Sequence, residues 1–169
     1  MRYCVWNAAS SVTVDDILAY VKTLDASMNP PLANYGIDFP VFVKKMTDLG
    51  VVLLALDDEN RIAGMFAFYC YDESQNGFCT WFGVRSDCRG RGVGTMLREE
   101  CFQILKARGR RYFRIRTSTA SLIASLTKRY GAVVESRETV AGVEKSMMLI
   151  DLNAVELGES KATFEMSEP

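Results

Sequence analysis

A short glycine-rich segment carries the clearest chemical signal in the sequence. It runs from Arg89 to Thr95 and reads Arg-Gly-Arg-Gly-Val-Gly-Thr. Glycine has no Cβ, so the backbone can turn tightly there and approach a ligand closely. The segment precedes a predicted helix, whose first N–H groups lack intrahelical partners and form the positive end of the helix dipole. Together with the side chains of Arg89 and Arg91, these groups predict a cradle for phosphate.

Two familiar phosphate-binding motifs do not fit this segment. A Walker A loop requires a Lys-Ser/Thr pair after its last glycine, and no lysine follows any of these glycines. A dinucleotide-binding loop requires Gly-x-Gly-x-x-Gly and opens a βαβ unit. Here Thr95 takes the place of the third glycine after Gly90 and Gly92, and the preceding strands are predicted to be antiparallel. The pattern that remains is Arg-x-x-Gly-x-Gly, from Arg89 to Gly94.

The composition limits the chemistry that can accompany this cradle. The 169 residues include no histidine, which excludes Ser-His-Asp and Cys-His catalysis and histidine-rich metal sites, so no metal is expected. The five cysteines are never spaced Cys-x-x-Cys and predict buried thiols in a reducing compartment. The net charge is −1, yet residues 85–116 hold ten basic and three acidic residues. This local excess favours one docked anionic ligand.

Hydrophobic periodicity predicts a single α+β domain over residues 1–152, followed by a loose tail over residues 153–169. The predicted order of elements is β-α-α-β-β-β-α-β-α-β-β. The strand Phe78–Val84 ends just before the glycine-rich segment, and the helix Val93–Arg108 follows it. No segment has the ~18 apolar residues of a membrane span, and residues 1–20 lack a signal-peptide pattern. We therefore expect a soluble, cytoplasmic protein without a membrane partner.

Three segments resemble the GCN5-related N-acetyltransferase (GNAT) superfamily. Arg89–Gly94 is similar to that family's coenzyme loop, Trp81–Val84 to the end of its fourth strand, and Leu126–Gly131 to its last helix with a terminal glycine. The resemblance covers about residues 3–152. It implies a GNAT-like mixed, mostly antiparallel seven-stranded sheet flanked by about four helices. It also implies acetyl-CoA as co-substrate, with its pyrophosphate bound by the glycine-rich loop.

The resemblance further implies how the coenzyme is held. The fourth and fifth strands would separate, and the pantetheine arm would lie between them like an added strand. A backbone N–H, that of Val84, would polarise the thioester carbonyl. Transfer would be direct, in a ternary complex without a covalent enzyme intermediate. The residues implied to bind the coenzyme are Phe82, Gly83, Val84, Arg89, Gly90, Arg91, Gly92, Val93, Gly94 and Thr95.

The sequence offers several candidates for the catalytic acid and the catalytic base. Many members of the family place a tyrosine four residues before the terminal glycine, and this sequence has Thr127 there. Tyr130 lies three residues later, about 300° further round the helix. Both are candidates to assist the departing thiolate, which can also leave unprotonated because an alkyl thiol has a pKa of ~8.5. The carboxylates that could act as a base through water are Asp38, Asp72 and Glu73.

An acyl-cysteine on Cys79 or Cys88 is disfavoured, because no histidine is present to lower the pKa of either thiol. The predicted function is acetyl transfer to the primary amine of a small molecule or an amino sugar. Asn29–Leu32 and Val43–Lys45 loosely resemble a GNAT subset linked with bacterial surface-polysaccharide synthesis.

Three alternative functions stay open at this point. They are a non-catalytic acyl-CoA-binding module, a protein or peptide N-acetyltransferase, and an RNA-binding domain. Basic residues that share one face of the fifth strand favour the last of these, but nucleic-acid binding requires a broad cationic footprint, and the pI is about 5.6. We therefore expect no nucleic-acid partner. A homodimer is compatible with the sequence.

Overall fold

The computed structural model of the chain describes residues 1–71, 75–158 and 164–166. Within these residues, eight strands form one mixed sheet in the order β6-β7-β5-β4-β3-β2-β1-β8. The strands are β1 Arg2–Val5, β2 Val51–Leu56, β3 Ile62–Tyr69, β4 Asn76–Val84, β5 Tyr112–Thr117, β6 Val133–Val140, β7 Val143–Asp151 and β8 Phe164–Met166. The α-helices are α1 Val14–Asp25, α2 Phe39–Leu49, α3 Val93–Ala107 and α4 Ala120–Tyr130. The predicted α+β architecture and the predicted order of its elements are confirmed.

Capping residues determine where the helices begin and end. Thr13 begins α1 with a capping box: its hydroxyl accepts from the Asp16 N–H at 3.1 Å, and the Asp16 carboxylate accepts from the Thr13 N–H at 2.8 Å. Asp38 caps α2 by accepting from the Val41 N–H at 3.0 Å. Gly131 ends α4 with a φ of +64°, a conformation that disfavours residues with a Cβ. These local signals explain why the predicted helix boundaries agree closely with the structure.

Two apolar cores lie on opposite faces of the sheet. One contains Ile17 of α1 and Val43 of α2, and the other contains Leu97 of α3 and Leu126 of α4. Side chains of β4 alternate between the two faces, so that Trp81 contributes to the first core and Phe82 packs against the second. The central strands are therefore covered on both sides, and β4 presents Phe82 toward α3 and α4.

The end of the chain differs from the prediction. The tail predicted to be loose contains β8, which pairs in parallel with β1 through Tyr3 and Phe164. Val155, also in the predicted tail, is buried in the core under α3 and α4. The sheet thus has one strand more than the seven predicted. The additional strand, β8, pairs through its backbone with the edge strand β1. A strand of three residues is too short to give a periodic hydrophobic pattern, so the sequence did not predict it.

Candidate active site

An opening between β4 and β5 lies at the centre of the sheet. The two strands are parallel and pair only through their first three residues, ending at Phe78 and Arg114. Beyond this point β4 contains a bulge, because Trp81 and Cys79 lie opposite consecutive residues of β3 and Thr80 is the extra residue. A bulge bends and twists its strand, which accounts for the departure of β4 from β5. The separation of these strands, implied by the family resemblance, is present.

The backbone of β4 offers hydrogen-bonding groups to this opening. The Arg85 N–H donates to the Ala63 carbonyl at 2.9 Å, so Gly64 and Val84 form a non-hydrogen-bonded pair of the antiparallel ladder. The N–H and C=O of Val84 therefore point away from β3 and toward the β5 side. Phe82, two residues earlier, has the same orientation. The Val84 carbonyl accepts from Arg89 Nε at 3.0 Å, which places this arginine at the mouth of the opening.

The glycine-rich loop leads from β4 into α3 and presents bare backbone. Gly92 is the N-terminal cap residue of α3, with a φ of +81° and no side-chain capping bond. The first helical bond runs from the Met96 N–H to the Gly92 carbonyl at 3.0 Å. Among the described residues, no acceptor takes the N–H of Val93, Gly94 or Thr95. These three N–H groups have the arrangement of an anion-binding helix N-terminus.

The side chains around these N–H groups leave the loop open. A Cβ at Gly90 or Gly92 would meet none of the described atoms within 4 Å. The side chain of Val93 is buried, whereas Arg91 is exposed and lines a cavity of about 360 Å³ beside the turn between β2 and β3. Arg129, near the end of α4, donates to the Thr95 hydroxyl at 3.1 Å. Sequence reasoning missed Arg129, because nothing in its local pattern indicates that the end of α4 meets the start of α3.

Two of the predicted coenzyme-binding glycines serve packing. A Cβ at Gly94 would lie 2.8 Å from Phe82 Cζ, and a Cβ at Gly83 would lie 2.6 Å from Trp81 Cη2. Gly94 thus lets α3 approach β4 closely. The Gly83 carbonyl accepts from the Tyr20 hydroxyl at 3.3 Å, so its backbone faces away from the opening. A larger residue at Gly94 would disturb the packing of α3 on β4, rather than only fill space for a phosphate.

Arg85 ties the start of the loop to the sheet. Its guanidinium donates to Asp87 Oδ1 at 2.7 Å and to Asp57 Oδ2 at 2.8 Å, and Asp57 lies in the turn between β2 and β3. Desolvation raises the pKa of Asp57, but hydrogen bonds from the backbone and side chain of Arg61 and from Arg85 outweigh it and hold this pKa well below its usual range. The loop is thus fastened by a charged pair that is 28 residues apart in sequence.

The two candidate acids lie in different environments. Thr127 is exposed on α4. The ring of Tyr130 is buried against Phe102 at 5.1 Å between centroids, and its hydroxyl donates to Glu99 Oε1 at 3.1 Å. Burial raises the pKa of Tyr130. The Tyr130 hydroxyl is therefore held by a carboxylate of α3, and a role for either residue stays a prediction.

The candidate bases and nucleophiles gain little support. The Asp38 carboxylate is engaged as the cap of α2, while Asp72 and Glu73 lie outside the described residues. Burial raises the pKa of Cys79 to about 12, which keeps this thiol protonated. Cys88 is buried and lies 3.6 Å from Arg85 Nη2.

The segment between α1 and α2 reaches over the other side of the opening. Asp25 is buried and accepts from the backbone N–H of Leu32 at 2.6 Å and of Ala33 at 3.1 Å, which fixes this segment to the end of α1. The Ser118 hydroxyl, just after β5, donates to the Asn29 carbonyl at 2.6 Å. From β7, the Lys145 ammonium lies 5.2 Å from the centre of the Tyr35 ring. These contacts join the segment to both β5 and the last hairpin.

The arginines on the exposed face of β5 have acidic partners on β6. Arg114 binds both oxygens of Glu135 at 2.7 Å, and Arg116 binds Glu138 at 2.7 Å. Arg114 also donates to the Asn76 side chain. Nothing in the described residues groups three or more potential metal ligands, and no described helix is long and apolar enough to cross a bilayer.

Comparisons with known proteins agree with this geometry. A family model described as the acetyltransferase (GNAT) family matches residues 23–126. A crystal structure of aminoglycoside 6'-acetyltransferase type Ii superimposes with a TM-score of 0.70 at 14% identity, covering 90% of this chain and 97% of that one. An aminoglycoside 6'-N-acetyltransferase complexed with coenzyme A gives 0.69 at 13% identity, covering 90% and 97%. Tetrahymena GCN5 gives 0.63 at 13% identity, covering 90% and 96%. Among curated proteins, none matches this chain.

The family match spans more than half of the chain, so the chain belongs to the acetyltransferase (GNAT) family. It is an acyltransferase, and the GNAT-like fold expected from the sequence is confirmed. At 13–14% identity, similarity to the solved structures shows the fold but does not identify the acceptor substrate.

Proposed function

We propose that the protein transfers an acetyl group from acetyl-CoA to the primary amine of a small molecule or an amino sugar. The observation that carries this proposal is the opening between β4 and β5, which begins after Phe78 and Arg114 and faces the outward N–H of Val84. The open glycines and the three unaccepted N–H groups of α3 fit a pyrophosphate. Acetyl-CoA would supply the activated acetyl group as a thioester.

Different residues of the chain would bind the coenzyme and stabilise the reacting group. The start of α3 binds the pyrophosphate with Arg89, Arg91 and Arg129 beside it. The Val84 N–H donates to the carbonyl oxygen and stabilises the negative charge that develops there, an effect worth ~10²–10³ in rate for a typical donor. Holding the amine against the carbonyl carbon supplies further acceleration. A neutral amine can then attack directly, without an enzyme nucleophile.

The contacts over the acceptor side support a small acceptor. The Ser118–Asn29 hydrogen bond and the Lys145–Tyr35 contact both cross from the sheet to the segment between α1 and α2. Because these contacts tie the segment to the sheet, we expect limited room for an extended peptide, whereas a compact amine needs only its amino group to reach the opening. Two of the similar structures are aminoglycoside acetyltransferases, which is consistent with a small polyamine or amino sugar.

Thiol release from acetyl-CoA, measured over a panel of amines, tests the proposal. The panel contains an aminoglycoside, an amino sugar, a polyamine and a peptide with a free N-terminus, with a titration of acetyl-CoA binding alongside. We expect saturable turnover with at least one small amine and little with the peptide. Turnover of the peptide alone would overturn the acceptor assignment, and binding of acetyl-CoA without turnover of any amine would overturn catalysis.

A further inference from the structure

Arg98 is a cationic side chain in a position where the helix otherwise buries apolar residues. It lies in α3 beside Leu97 and one turn before Cys101 and Phe102, all of which are buried. Only 5% of Arg98 is exposed. Arginine is almost never fully buried unless it is paired, so its place in this stripe requires an explanation.

The surroundings of Arg98 hold rings rather than a carboxylate. Its guanidinium carbon lies 5.6 Å from the centre of the Phe82 ring and 5.8 Å from that of Tyr130. Its Nε and Nη1 are buried, and no acceptor in the described part of the chain is within hydrogen-bond distance of either. The charged or titratable groups that interact with Arg98 or with Tyr130 are Cys79 of β4, Glu99 and Cys101 of α3, and Arg129 of α4. Glu99 is engaged by the Tyr130 hydroxyl.

Two contacts with aromatic faces offset only part of the loss of hydration for a buried guanidinium. A structural role alone would be filled equally well by leucine or methionine, which bring no such loss. The unaccepted N–H groups instead suit an anion that arrives with a ligand or forms during the reaction.

The position of Arg98 indicates which anion this is. Phe82 belongs to the part of β4 that has left β5, and Tyr130 belongs to the helix that follows β5. The guanidinium therefore lies on the α3 face of the sheet, against the ring of Phe82, and Phe82 is two residues before Val84 in β4. In the proposed function, the thioester lies along this stretch of β4.

We propose that Arg98 is a catalytic residue that stabilises the coenzyme thiolate as it leaves. The inference rests on the proposed function. In the reaction, the acceptor nitrogen forms a bond to the carbonyl carbon, and the carbon–sulfur bond breaks with its electron pair on sulfur. The proton of the attacking amine passes to water, and Arg98 keeps all of its own protons while it donates hydrogen bonds to sulfur. This role removes the need for a tyrosine at position 127 to protonate the thiolate.

The test compares wild-type protein with Arg98→Met and Arg98→Lys, and uses Arg108→Met as the control. Arg108 lies one residue beyond α3, is exposed, and its loss removes the same charge. The first measurement is the pKa of the thiol of bound coenzyme A. The ultraviolet absorbance of the thiolate reports its ionisation during the titration. We expect the bound thiol in wild-type protein and in Arg108→Met to titrate about 1–3 units below its usual ~8.5, and in Arg98→Met not to be lowered. In Arg98→Lys the pKa of the bound thiol should be lowered by a smaller amount than in wild-type protein. This variant provides a second measurement if the methionine variant folds poorly.

Affinity for S-methyl-coenzyme A separates this role from a structural one. The thioether cannot ionise, so wild-type protein and Arg98→Met should bind it equally, while turnover of the best amine falls about 10–100-fold in Arg98→Met. An unchanged thiol pKa in Arg98→Met, or an equal loss of affinity for both coenzyme forms, would overturn the inference. If wild-type protein turns over an amine and Arg98→Met is fully active, the inference about Arg98 fails and the proposed function stands. If wild-type protein binds neither coenzyme form, both the inference and the proposed function fail.

Discussion

Arg85 Nη2 lies 2.8 Å from Asp57 Oδ2, and this contact joins the turn between β2 and β3 to the residue that follows β4, just before the coenzyme loop. Asp57 also accepts from the N–H groups of Glu59 at 3.0 Å and of Arg61 at 2.9 Å, so its own position is fixed. The loop is therefore preceded by an anchored arginine. A pre-organised loop loses less conformational entropy when it closes on a phosphate.

We expect Asp57→Asn to weaken binding of acetyl-CoA about tenfold, because the charge-assisted bond to Arg85 is lost and the loop is less well fixed. Calorimetric titration measures the change. Asp58→Asn is the matched control, since the Asp58 carboxylate is exposed and contacts the amino terminus at 3.3 Å. Because the pKa of Asp57 lies well below its usual range, the group stays charged above about pH 4 and should add no pH dependence to binding between pH 5 and 9. Equal affinities of Asp57→Asn and wild-type protein would refute the anchoring role.

A substitution at Gly92 tests the cradle itself. Its φ of +81° strains any residue with a Cβ, and the added atom would enter the open space at the loop, where none of the described atoms lies within 4 Å. Gly109→Ala is the control, because Gly109 has a similar φ of +69° and lies past the opposite end of α3. Both alanine variants should lose about 1–2 kcal/mol of folding stability in chemical denaturation. Only Gly92→Ala should lose acetyl-CoA affinity, by more than about tenfold, and a matched loss in Gly109→Ala would show that strain alone is responsible.

Elements with strong local signals could be predicted from the sequence. The strand Tyr112–Thr117 and the helix Ala120–Tyr130 have the bounds that alternation and the terminal Gly131 predict. The glycine-rich loop was recognisable for the same reason, since its conformation depends on residues within the loop. Local chemistry therefore predicts the elements and the cradle.

Contacts between distant residues could not be predicted in this way. Asp57 looks like a turn residue and Arg98 like one more charge on a helix, because their roles depend on which strands and helices meet. The same holds for Arg129, which reaches Thr95 only because α4 ends beside the start of α3. Gly94 has a second role that the sequence did not indicate: its place in the phosphate cradle stays a prediction, and the neighbouring ring of Phe82 also leaves no room for a Cβ there.

The hydrogen bond between Ser118 and Asn29 should affect the acceptor and not the coenzyme. Ser118→Ala removes the 2.6 Å bond that joins the end of β5 to the segment between α1 and α2. We expect KM for the best amine to rise about 3–10-fold, the effect of one hydrogen bond, while KM for acetyl-CoA stays unchanged. Ser121→Ala, an exposed position in the first turn of α4, serves as the control. A parallel rise in both KM values would mean that the bond supports the opening as a whole.

Folding stability should fall at high pH because buried tyrosines resist ionisation. Burial raises the pKa of four tyrosines, namely Tyr3, Tyr20, Tyr69 and Tyr130. In the unfolded chain these phenols titrate near pH 10, so above that pH the unfolded state releases protons that the folded state retains. The free energy of unfolding therefore decreases as the pH rises past about 10. Burial also raises the pKa values of the Cys79 and Cys101 thiols, so these two groups begin the loss of stability above about pH 8.5, where unfolded thiols ionise.

Tyr20→Phe gives the sharpest check of this alkaline limit. The Tyr20 ring packs edge-on against Trp81 at 5.8 Å, and phenylalanine preserves this contact while it removes the group that titrates. Denaturant titrations from pH 8 to 11 should show a shallower loss of stability in Tyr20→Phe than in wild-type protein, because one fewer proton is released on unfolding. Tyr71→Phe should retain the wild-type slope, because Tyr71 is 52% exposed. If both variants lose stability as steeply as wild-type protein, burial of Tyr20 does not control the alkaline transition, and ionisation elsewhere must drive it.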